Sequence, residues 1–241
     1  MSSKRTVLIT GCSDGSLGSH LALQFHAAGW RVFASARNMA KLKHAKEVAF
    51  LPLLLASTHE NGALLINHGS LSGTIAASGP FAGAYNASKA AVASFTETMR
   101  LELEPFGIKV INLVTGAVRS TFHVNAPHPQ LPAISLYNVT KEAKGAIETA
   151  MGNPEDASDT DPEVWARGVV RELGKRNPAY WIWAGKFSSL VRWGSLLPLG
   201  FFDRVMKRMV GLDVVEREVK ARGYTQPSSC GGGGDSGVGK I

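Results

Sequence analysis

Residues 6–29, TVLITGCSDGSLGSHLALQFHAAG, contain the order of elements that decides the fold. TVLIT is a short run of apolar and β-branched residues, which is typical of a buried parallel strand. A glycine-rich loop at residues 11–18 follows it directly, and residues 19–29 have the composition of a helix that ends at a glycine. Glycines permit a tight turn, and a helix N-terminus attracts a phosphate group. This order of strand, loop and helix predicts a dinucleotide-binding unit.

A second strand is predicted at residues 31–36, RVFASA, and Arg37 follows it. At the end of this strand a carboxylate suits the ribose hydroxyls of NAD, whereas a guanidinium suits the 2′-phosphate of NADP. Arg37 therefore favours NADP(H). The alternative is an ordinary exposed arginine after a strand.

A long helix is predicted over residues 85–105, YNASKAAVASFTETMRLELEP, with Pro105 and Gly107 as its stop. Tyr85 and Lys89 are four residues apart, so they lie on one face of that helix. An ammonium beside a phenol stabilises the phenolate, which suits the phenol to proton transfer. Because ordinary surface neighbours show the same spacing, the pair alone does not define a site.

Predicted strands precede and follow this helix. Residues 63–70, ALLINHGS, end in a serine, and residues 108–116, IKVINLVTG, end in Thr-Gly. A serine-bearing strand end, a Tyr-x-x-x-Lys helix and a strand closed by Thr-Gly resemble the short-chain dehydrogenase/reductase family over most of residues 5–121. The resemblance implies an α/β fold, a Rossmann-like doubly wound parallel sheet with helices on both faces.

The glycine loop, which opens with Thr-Gly-Cys-Ser, resembles that of a fungal subgroup similar to acyl-dihydroxyacetone-phosphate reductase. Within this loop Ser16 stands where the family pattern has a further glycine. The resemblance implies that Tyr85 donates a proton, that Lys89 assists it and holds the nicotinamide ribose, and that a serine hydrogen-bonds the substrate carbonyl. Alignment by motif selects Ser70 as that serine, counting back by the usual spacing selects Ser72, and we favour Ser70. The implied cofactor contacts are Gly11, Ser13, Gly15, Leu17, Gly18, Arg37, Tyr85, Lys89, Val118 and Ser120, with Thr121 in reserve. By the resemblance, Val118 and Ser120 hold the carboxamide of the nicotinamide.

The segment between Arg37 and Ala63 is short, with only 25 residues. A βαβ unit needs about 30 residues or more, and the family places two further strands here. We therefore predict that the third and fourth strands are lacking, through an internal deletion after about Lys46, and that residues 48–57 end a helix. The deletion would also remove the family's relay asparagine, and we interpret Asn67 as structural.

The 241 residues, 44% of them hydrophobic, predict one reductase domain over residues 1–224 and a disordered Gly- and Ser-rich tail over residues 225–241. Two cysteines imply no disulfide framework, which fits a reducing, cytoplasmic location. No apolar run is long enough to span a membrane. The net charge of +7 comes without a nucleic-acid-binding motif, so a phosphate-bearing cofactor or an acidic lipid surface is the better interpretation.

Beyond residue 120 the pattern is less specific. Asp161 and Pro162 predict the start of a helix, and the last strand is predicted within YWIWAG, residues 180–185. Residues 187–212 are basic, aromatic and amphipathic, so they can lie on a membrane surface, line a hydrophobic substrate entrance or cover the core. We treat His123 and His128 as loop residues and predict no metal.

Two functional hypotheses follow. The first is an NADPH-dependent reductase acting on a carbonyl or alcohol group of a hydrophobic or lipid-like small molecule, for example in fungal secondary metabolism, and the resemblance implies a homo-oligomer. The second is a catalytically impaired remnant that acts only as a binding protein. The Ser, Tyr and Lys residues favour the enzyme, whereas the missing strands favour the remnant.

Overall fold

The computed structural model describes residues 5–10, 12, 15–35, 54–55, 63–120, 129–152 and 158–223. Its strands are β1 (Thr6–Thr10), β2 (Arg31–Ser35), β3 (Ala63–Ser70), β4 (Ile108–Thr115) and β5 (Trp181–Ala184). Its α-helices are α1 (Leu17–Ala27), α2 (Gly83–Leu103), α3 (Lys141–Gly152), α4 (Pro162–Leu173), α5 (Ser188–Gly194), α6 (Asp203–Met209) and α7 (Leu212–Arg222). The chain forms two compact units, one from Met1–Ala126 and Glu155–Phe201 and the other from Pro127–Pro154 and Phe202–Ile241.

The first sheet of unit 1 contains β1 and β2, which pair in parallel in the register Thr6 with Arg31 and Thr10 with Ser35. Helix α1 connects them, as the sequence predicts. Gly29 follows that helix with a φ of +83°, a left-handed conformation that glycine adopts without steric strain. The backbone thereby reverses and enters β2.

This first sheet is less buried than the sequence predicts. Val7, Ile9 and Val32 pack against a buried cluster, but Leu8 and Phe33 are 42% and 55% exposed. The prediction of a fully buried strand β1 is therefore wrong for the described residues. The physical reason is that the described elements cover only one face of β1 and β2.

The second sheet contains β3, β4 and β5 in that order, all parallel. Strand β4 is central and buried along nearly its whole length, because it is paired on both edges and covered on both faces. Ile111 and Leu113 face one core cluster, whereas Val110 faces another, as alternation along a strand requires. The predicted bounds of β3 and β4 are correct to within one residue.

Helices α1 and α4 share one layer, and α2 lies on the other face of the second sheet. Phe25 of α1 and Trp165 of α4 belong to the same buried cluster, which also receives Val7 from the first sheet and Ile66 from the second. Apolar packing therefore joins the two sheets. In the ranges that the structure describes, β1 and β2 have no backbone pairing with β3, β4 or β5.

The predicted loss of two strands falls between Ser35 and Ala63, where only residues 54–55 are described, and these two are helical. Leu54 packs against the cluster of Ala63, Leu103, Ile108 and Val110. This placement agrees with the end of a helix in residues 48–57. The absence of the third and fourth strands stays a prediction.

The regular elements described in unit 2 are the helices α3, α6 and α7. Ile147 and Ala143 of α3 are fully buried, and Glu148 accepts a hydrogen bond from the Leu131 amide at 2.8 Å. Gly211 begins α7 with a φ of +73°, and a Cβ atom there would lie 2.7 Å from Cβ of Ala146. The close approach of α7 to α3 therefore depends on that glycine. The predicted tail, residues 225–241, lies outside the described residues.

Candidate active site

Tyr85 and Lys89 lie in the first two turns of α2, at the carboxyl end of the second sheet. The ammonium nitrogen of Lys89 is 5.9 Å from the centre of the Tyr85 ring. The same nitrogen donates a hydrogen bond to the main-chain oxygen of His68 at 3.1 Å. The helical spacing predicted the neighbouring pair, and the structure adds that β3 holds the lysine in place.

The electrostatic environment of Lys89 differs from that of a surface lysine. Partial burial lowers its pKa, because removal of water disfavours the ammonium form. Tyr85 keeps 40% of its surface exposed. A half-buried cation therefore lies beside a partly exposed tyrosine.

Ser70 ends β3, and its hydroxyl oxygen accepts a hydrogen bond from the Ser72 amide at 3.2 Å. That bond caps a short 3₁₀-helix, Leu71–Gly73. A Cβ atom on Gly73 would lie only 2.7 Å from the main-chain oxygen of Lys89. This serine turn, residues 70–73, is therefore packed directly against the backbone of α2, one helical turn after Tyr85.

The choice between Ser70 and Ser72 stays a prediction. Ser70 accepts one hydrogen bond and retains its own hydroxyl proton, which a substrate oxygen can accept. Ser72 contributes its main-chain amide to the turn. This arrangement is compatible with Ser70 as the substrate contact and with Ser72 as a residue that orients it.

Sequence reasoning missed His68. Its ring nitrogen Nε2 lies 2.8 Å from the hydroxyl oxygen of Thr115, at the end of β4, and its ring packs against Trp165. Burial, and then the nearby ammonium of Lys89, lower its pKa to about 4. The ring is enclosed by Thr115 and Trp165, while other atoms of the residue stay exposed. The available signal was an imidazole within an otherwise apolar strand.

Asn67 has the structural role that the sequence predicted. Its side-chain amide donates to the Thr96 hydroxyl at 3.0 Å, and Thr96 in turn donates to the main-chain oxygen of Val92 at 2.6 Å. Thr96 is 1% exposed, so the bond lies in the interior between β3 and α2. It fixes the lateral position of the helix that carries Tyr85 and Lys89.

The loop after β4 contains Val118 and Ser120. Val118 is buried, and Ser120 is half-buried. Thr115, at the start of this loop, contacts His68, whose main-chain oxygen binds Lys89. Ser70, Tyr85 and Lys89 therefore lie at the same edge of the second sheet as the loop after β4.

The glycine turn belongs to the first sheet. Gly15 has a φ of +71°, and Ser16 is extended and caps α1 by accepting from the Ser19 amide at 3.2 Å. The departure from glycine at Ser16 has a physical reason, since serine is a favoured N-cap and the position needs no left-handed backbone. Leu17 and Gly18 form the first turn of α1. Gly11, Ser13, Arg37 and Thr121 lie outside the described residues, as do His123 and His128.

Among the described residues, no three His, Cys, Asp or Glu side chains are grouped as a metal site requires. None of the described helices is both long and apolar enough to cross a membrane.

The parallel α/β fold, with a glycine turn before α1 and a Tyr-Lys pair beside the end of β3, defines a protein of the dinucleotide-binding oxidoreductase class. Comparison with known proteins agrees: the short chain dehydrogenase family model matches residues 46–130. A short-chain dehydrogenase/reductase of Pestalotiopsis microspora is 36% identical over 267 residues, which cover 91% of this chain and 99% of the relative. This chain therefore belongs to the short-chain dehydrogenase/reductase family.

Two further comparisons extend this result. An NADPH-dependent 1-acyldihydroxyacetone phosphate reductase of Schizosaccharomyces pombe is 29% identical over 285 residues, covering 88% of this chain and 96% of the relative. A short-chain dehydrogenase from Streptomyces avermitilis has a similar fold, with a TM-score of 0.55 and 19% identity, covering 90% of this chain and 98% of that one. The predicted family, fold class and oxidoreductase class are confirmed.

The alignment lengths bear on the short segment after Arg37. The Pestalotiopsis alignment has 267 positions, whereas 91% of the 241 residues of this chain is about 219. About 48 aligned positions therefore have no residue in this chain. A difference of this size is compatible with the two strands that the sequence analysis predicts to be lacking.

Proposed function

We propose that this chain is an NADPH-dependent reductase of a ketone or aldehyde group on a hydrophobic small molecule. The observation that carries the proposal is the position of Lys89, whose ammonium is held by the His68 carbonyl beside the Tyr85 ring. Tyr85 donates its hydroxyl proton to the substrate oxygen, and Lys89 stabilises the phenolate that remains. Ser70 donates a hydrogen bond to the same oxygen and so stabilises the charge that develops there.

NADP(H) fits the residues of the first sheet. The left-handed Gly15 and the extended Ser16 lead the chain directly into α1, whose first amides belong to Leu17 and Gly18. Such amides bind phosphate oxygens, and Arg37 after β2 suits a 2′-phosphate. When bound, the reduced nicotinamide supplies the hydride. The Schizosaccharomyces relative, named for its NADPH dependence, supports the same choice.

The proposed substrate is apolar and lipid-like, and a tailoring step in fungal secondary metabolism is an equally suitable context. The name of the 1-acyldihydroxyacetone phosphate reductase relative supports an acyl-bearing substrate. We also propose that the protein acts as a homo-oligomer in the cytoplasm. Sedimentation velocity of the purified chain measures the oligomeric state, and a monomer at micromolar concentration contradicts that part of the proposal.

We further propose that residues 187–201 contact a lipid surface. One side of α5, formed by Ser188, Val191 and Gly194, is buried. Seven large apolar side chains in the same segment are exposed, and Leu196 and Leu199 reach 77% and 82%. The exposed set is Phe187, Leu190, Trp193, Leu196, Leu197, Leu199 and Phe201.

The charge of this segment favours an anionic lipid surface as its partner. Arg192 is the one charged residue of the segment, and its guanidinium lies 5.5 Å from the centre of the Trp193 ring. A tryptophan beside an arginine suits the headgroup region, where the ring meets apolar chains and the cation meets phosphate. The net charge of +7 adds a general attraction to anionic lipids.

Vesicle sedimentation tests this contact. Each fully buried leucine contributes about 1.5–3 kcal/mol, so replacing both Leu196 and Leu199 by Ser should weaken binding to vesicles of phosphatidylcholine and phosphatidylserine at least about 100-fold. Leu101→Ser is the control, because Leu101 is 61% exposed on α2, outside this segment. Equal binding by the double variant refutes the lipid contact. Dissociation of an oligomer by the same variant shows instead that a second copy covers these residues.

Titration with NADPH, followed by nicotinamide fluorescence, tests the enzymatic proposal. We expect saturable binding, and we expect Tyr85→Phe to abolish carbonyl reduction while nearly preserving cofactor affinity. Equal turnover by that variant contradicts the role of Tyr85. An absence of binding at millimolar NADPH would falsify the reductase and favour the non-catalytic alternative.

A further inference from the structure

Three chain segments meet around the loop that follows β4. They are residues 116–120, residues 158–161 before α4, and residues 185–188 after β5. Ala117 and Lys186 exchange two main-chain hydrogen bonds, at 3.1 and 3.2 Å. On the other side, Thr160 donates to the Ala117 oxygen at 3.3 Å and accepts from the Arg119 amide at 3.1 Å. The loop is therefore held by main-chain bonds on both sides.

Two glycines make this close packing possible. A Cβ atom on Gly116 would lie 2.1 Å from the main-chain oxygen of Lys186. A Cβ atom on Gly185 would lie 2.9 Å from a methyl carbon of Val118, and Gly185 has a φ of +96°. Since main-chain atoms cannot move as a side-chain tip can, a larger residue at position 116 must displace the loop.

Side-chain charges add to this arrangement. The Arg119 guanidinium lies 2.5 Å from Oδ2 of Asp161. The other carboxylate oxygen, Oδ1, accepts from the amides of Glu163 and Val164 at 2.9 and 3.2 Å and so caps α4. The Val164 amide and then the Arg119 guanidinium hold the Asp161 pKa below its usual value. On the opposite side, Lys186 pairs with Asp159 at 3.4 Å.

We propose that Arg119 and Asp161 are positioning residues that set the nicotinamide-binding loop. Arg119 lies between Val118 and Ser120, the two residues expected to contact the nicotinamide end of the cofactor. Its link to Asp161 ties that loop to the capped N-terminus of α4, a rigid helix whose Trp165 and Ala166 are buried. This inference rests on the proposed function, because a fixed position of the loop matters only if the loop binds the cofactor.

The substitution Asp161→Asn removes the charge pair with Arg119 and keeps the helix cap, so it tests the two roles of Asp161 separately. Asparagine is as good an N-cap as aspartate, so α4 stays capped while the ionic partner of Arg119 is lost. Glu163→Gln is the matched control, since Glu163 lies on the same helix and forms an exposed ion pair with Arg167 at 2.8 Å. Both substitutions remove one negative charge from the first turn or cap of α4.

Two measurements distinguish positioning from stability. Because the ion pair is exposed, its loss has a modest effect, and Asp161→Asn should raise the NADPH dissociation constant about two- to fivefold. We expect an unchanged kcat at saturating NADPH and the same thermal unfolding midpoint as Glu163→Gln.

Two further substitutions test the same interaction. Arg119→Met should raise the NADPH dissociation constant as much as Asp161→Asn does, and the double variant should raise it no further, because both changes remove one interaction. Gly116→Ala should raise the dissociation constant more than about tenfold, because main-chain atoms must shift.

Hydrogen exchange of residues 114–120 provides a readout that needs no cofactor. The Arg119 amide, bonded to Thr160, should exchange about two- to fivefold faster in Asp161→Asn than in Glu163→Gln. If the wild-type chain fails to bind NADPH, the proposed reductase function is refuted. Independently of NADPH, equal exchange of the Arg119 amide in Asp161→Asn and Glu163→Gln refutes the proposal that Asp161 holds the loop in place. If wild type binds NADPH and both Asp161→Asn and Arg119→Met bind it equally well, the positioning role is overturned.

Discussion

Gly73→Ala tests whether the serine turn and the helix that carries Tyr85 and Lys89 must lie in close contact. The added methyl group would lie 2.7 Å from the main-chain oxygen of Lys89 and 2.8 Å from its carbonyl carbon. Ordinary contact begins at about 3.4 Å, so the turn and the helix must separate by about 0.7 Å. Because the clashing atoms belong to the backbone of α2, a change of rotamer cannot relieve the contact.

The expected magnitude follows from this displacement. Overpacking of this kind costs about 1–3 kcal/mol of stability. A misplacement of about 1 Å can reduce a rate about 100-fold, so a shift of about 0.7 Å should lower kcat by more than about tenfold. Ser70 is three residues from Gly73 in the same turn, so its hydroxyl moves relative to Tyr85. The glycine turn before α1 is not displaced, whereas the backbone at Lys89, an implied cofactor contact, is pushed by the new methyl group, so NADPH affinity should fall by a smaller factor than kcat.

Gly79→Ala is the matched control. Gly79 lies between the same serine turn and α2, and a Cβ atom there would meet nothing within 4 Å. Thermal unfolding, NADPH titration and steady-state carbonyl reduction are measured for both variants. If Gly73→Ala unfolds and turns over like Gly79→Ala, the close contact of the serine turn with Lys89 is not required, and our account of the site is wrong.

Three further predictions concern neighbouring residues. Ser70→Ala should reduce kcat at least about 100-fold. Ser72→Ala should change kcat less than about threefold, because the main-chain amide of residue 72 remains. The reverse result identifies Ser72 as the substrate contact. Because folding lowers the His68 pKa, the unfolded chain binds more protons than the folded chain between pH 6.5 and about 4, and the stability of the wild type falls as the pH falls through that range. In denaturant titrations, His68→Gln should lose less stability over the same range. Thr96→Val should destabilise the fold by about 1–3 kcal/mol in urea unfolding, because the buried amide of Asn67 loses its acceptor, and an unchanged midpoint contradicts this.

Local sequence patterns predicted most of the elements around the site. Asp161 and Pro162 begin α4 as predicted, because capping depends on residues that are adjacent in the chain. The 3₁₀ turn at Glu104–Phe106 and the left-handed Gly107 end the long helix as predicted. The proximity of Tyr85 to Lys89 followed from helical spacing. Each of these features involves contacts over a few residues.

Contacts between distant residues were not predictable in the same way. No local pattern indicated that Lys89 binds the His68 carbonyl, that Thr115 contacts the His68 ring, or that Asp161 both caps a helix and pairs with Arg119. Nor did apolar composition show that Leu8 is exposed. Burial of a strand face depends on which helix covers it.

The sequence by itself determined the family and the order of the strands and helices around the candidate site, because these depend on propensity, periodicity and short motifs. It also predicted which residues form that site. The tertiary structure alone decided how the serine turn, the lysine and the loop after β4 are held together. Those contacts depend on main-chain atoms and on glycines at close approaches. Residue type along the chain does not encode which distant backbone such a glycine will meet.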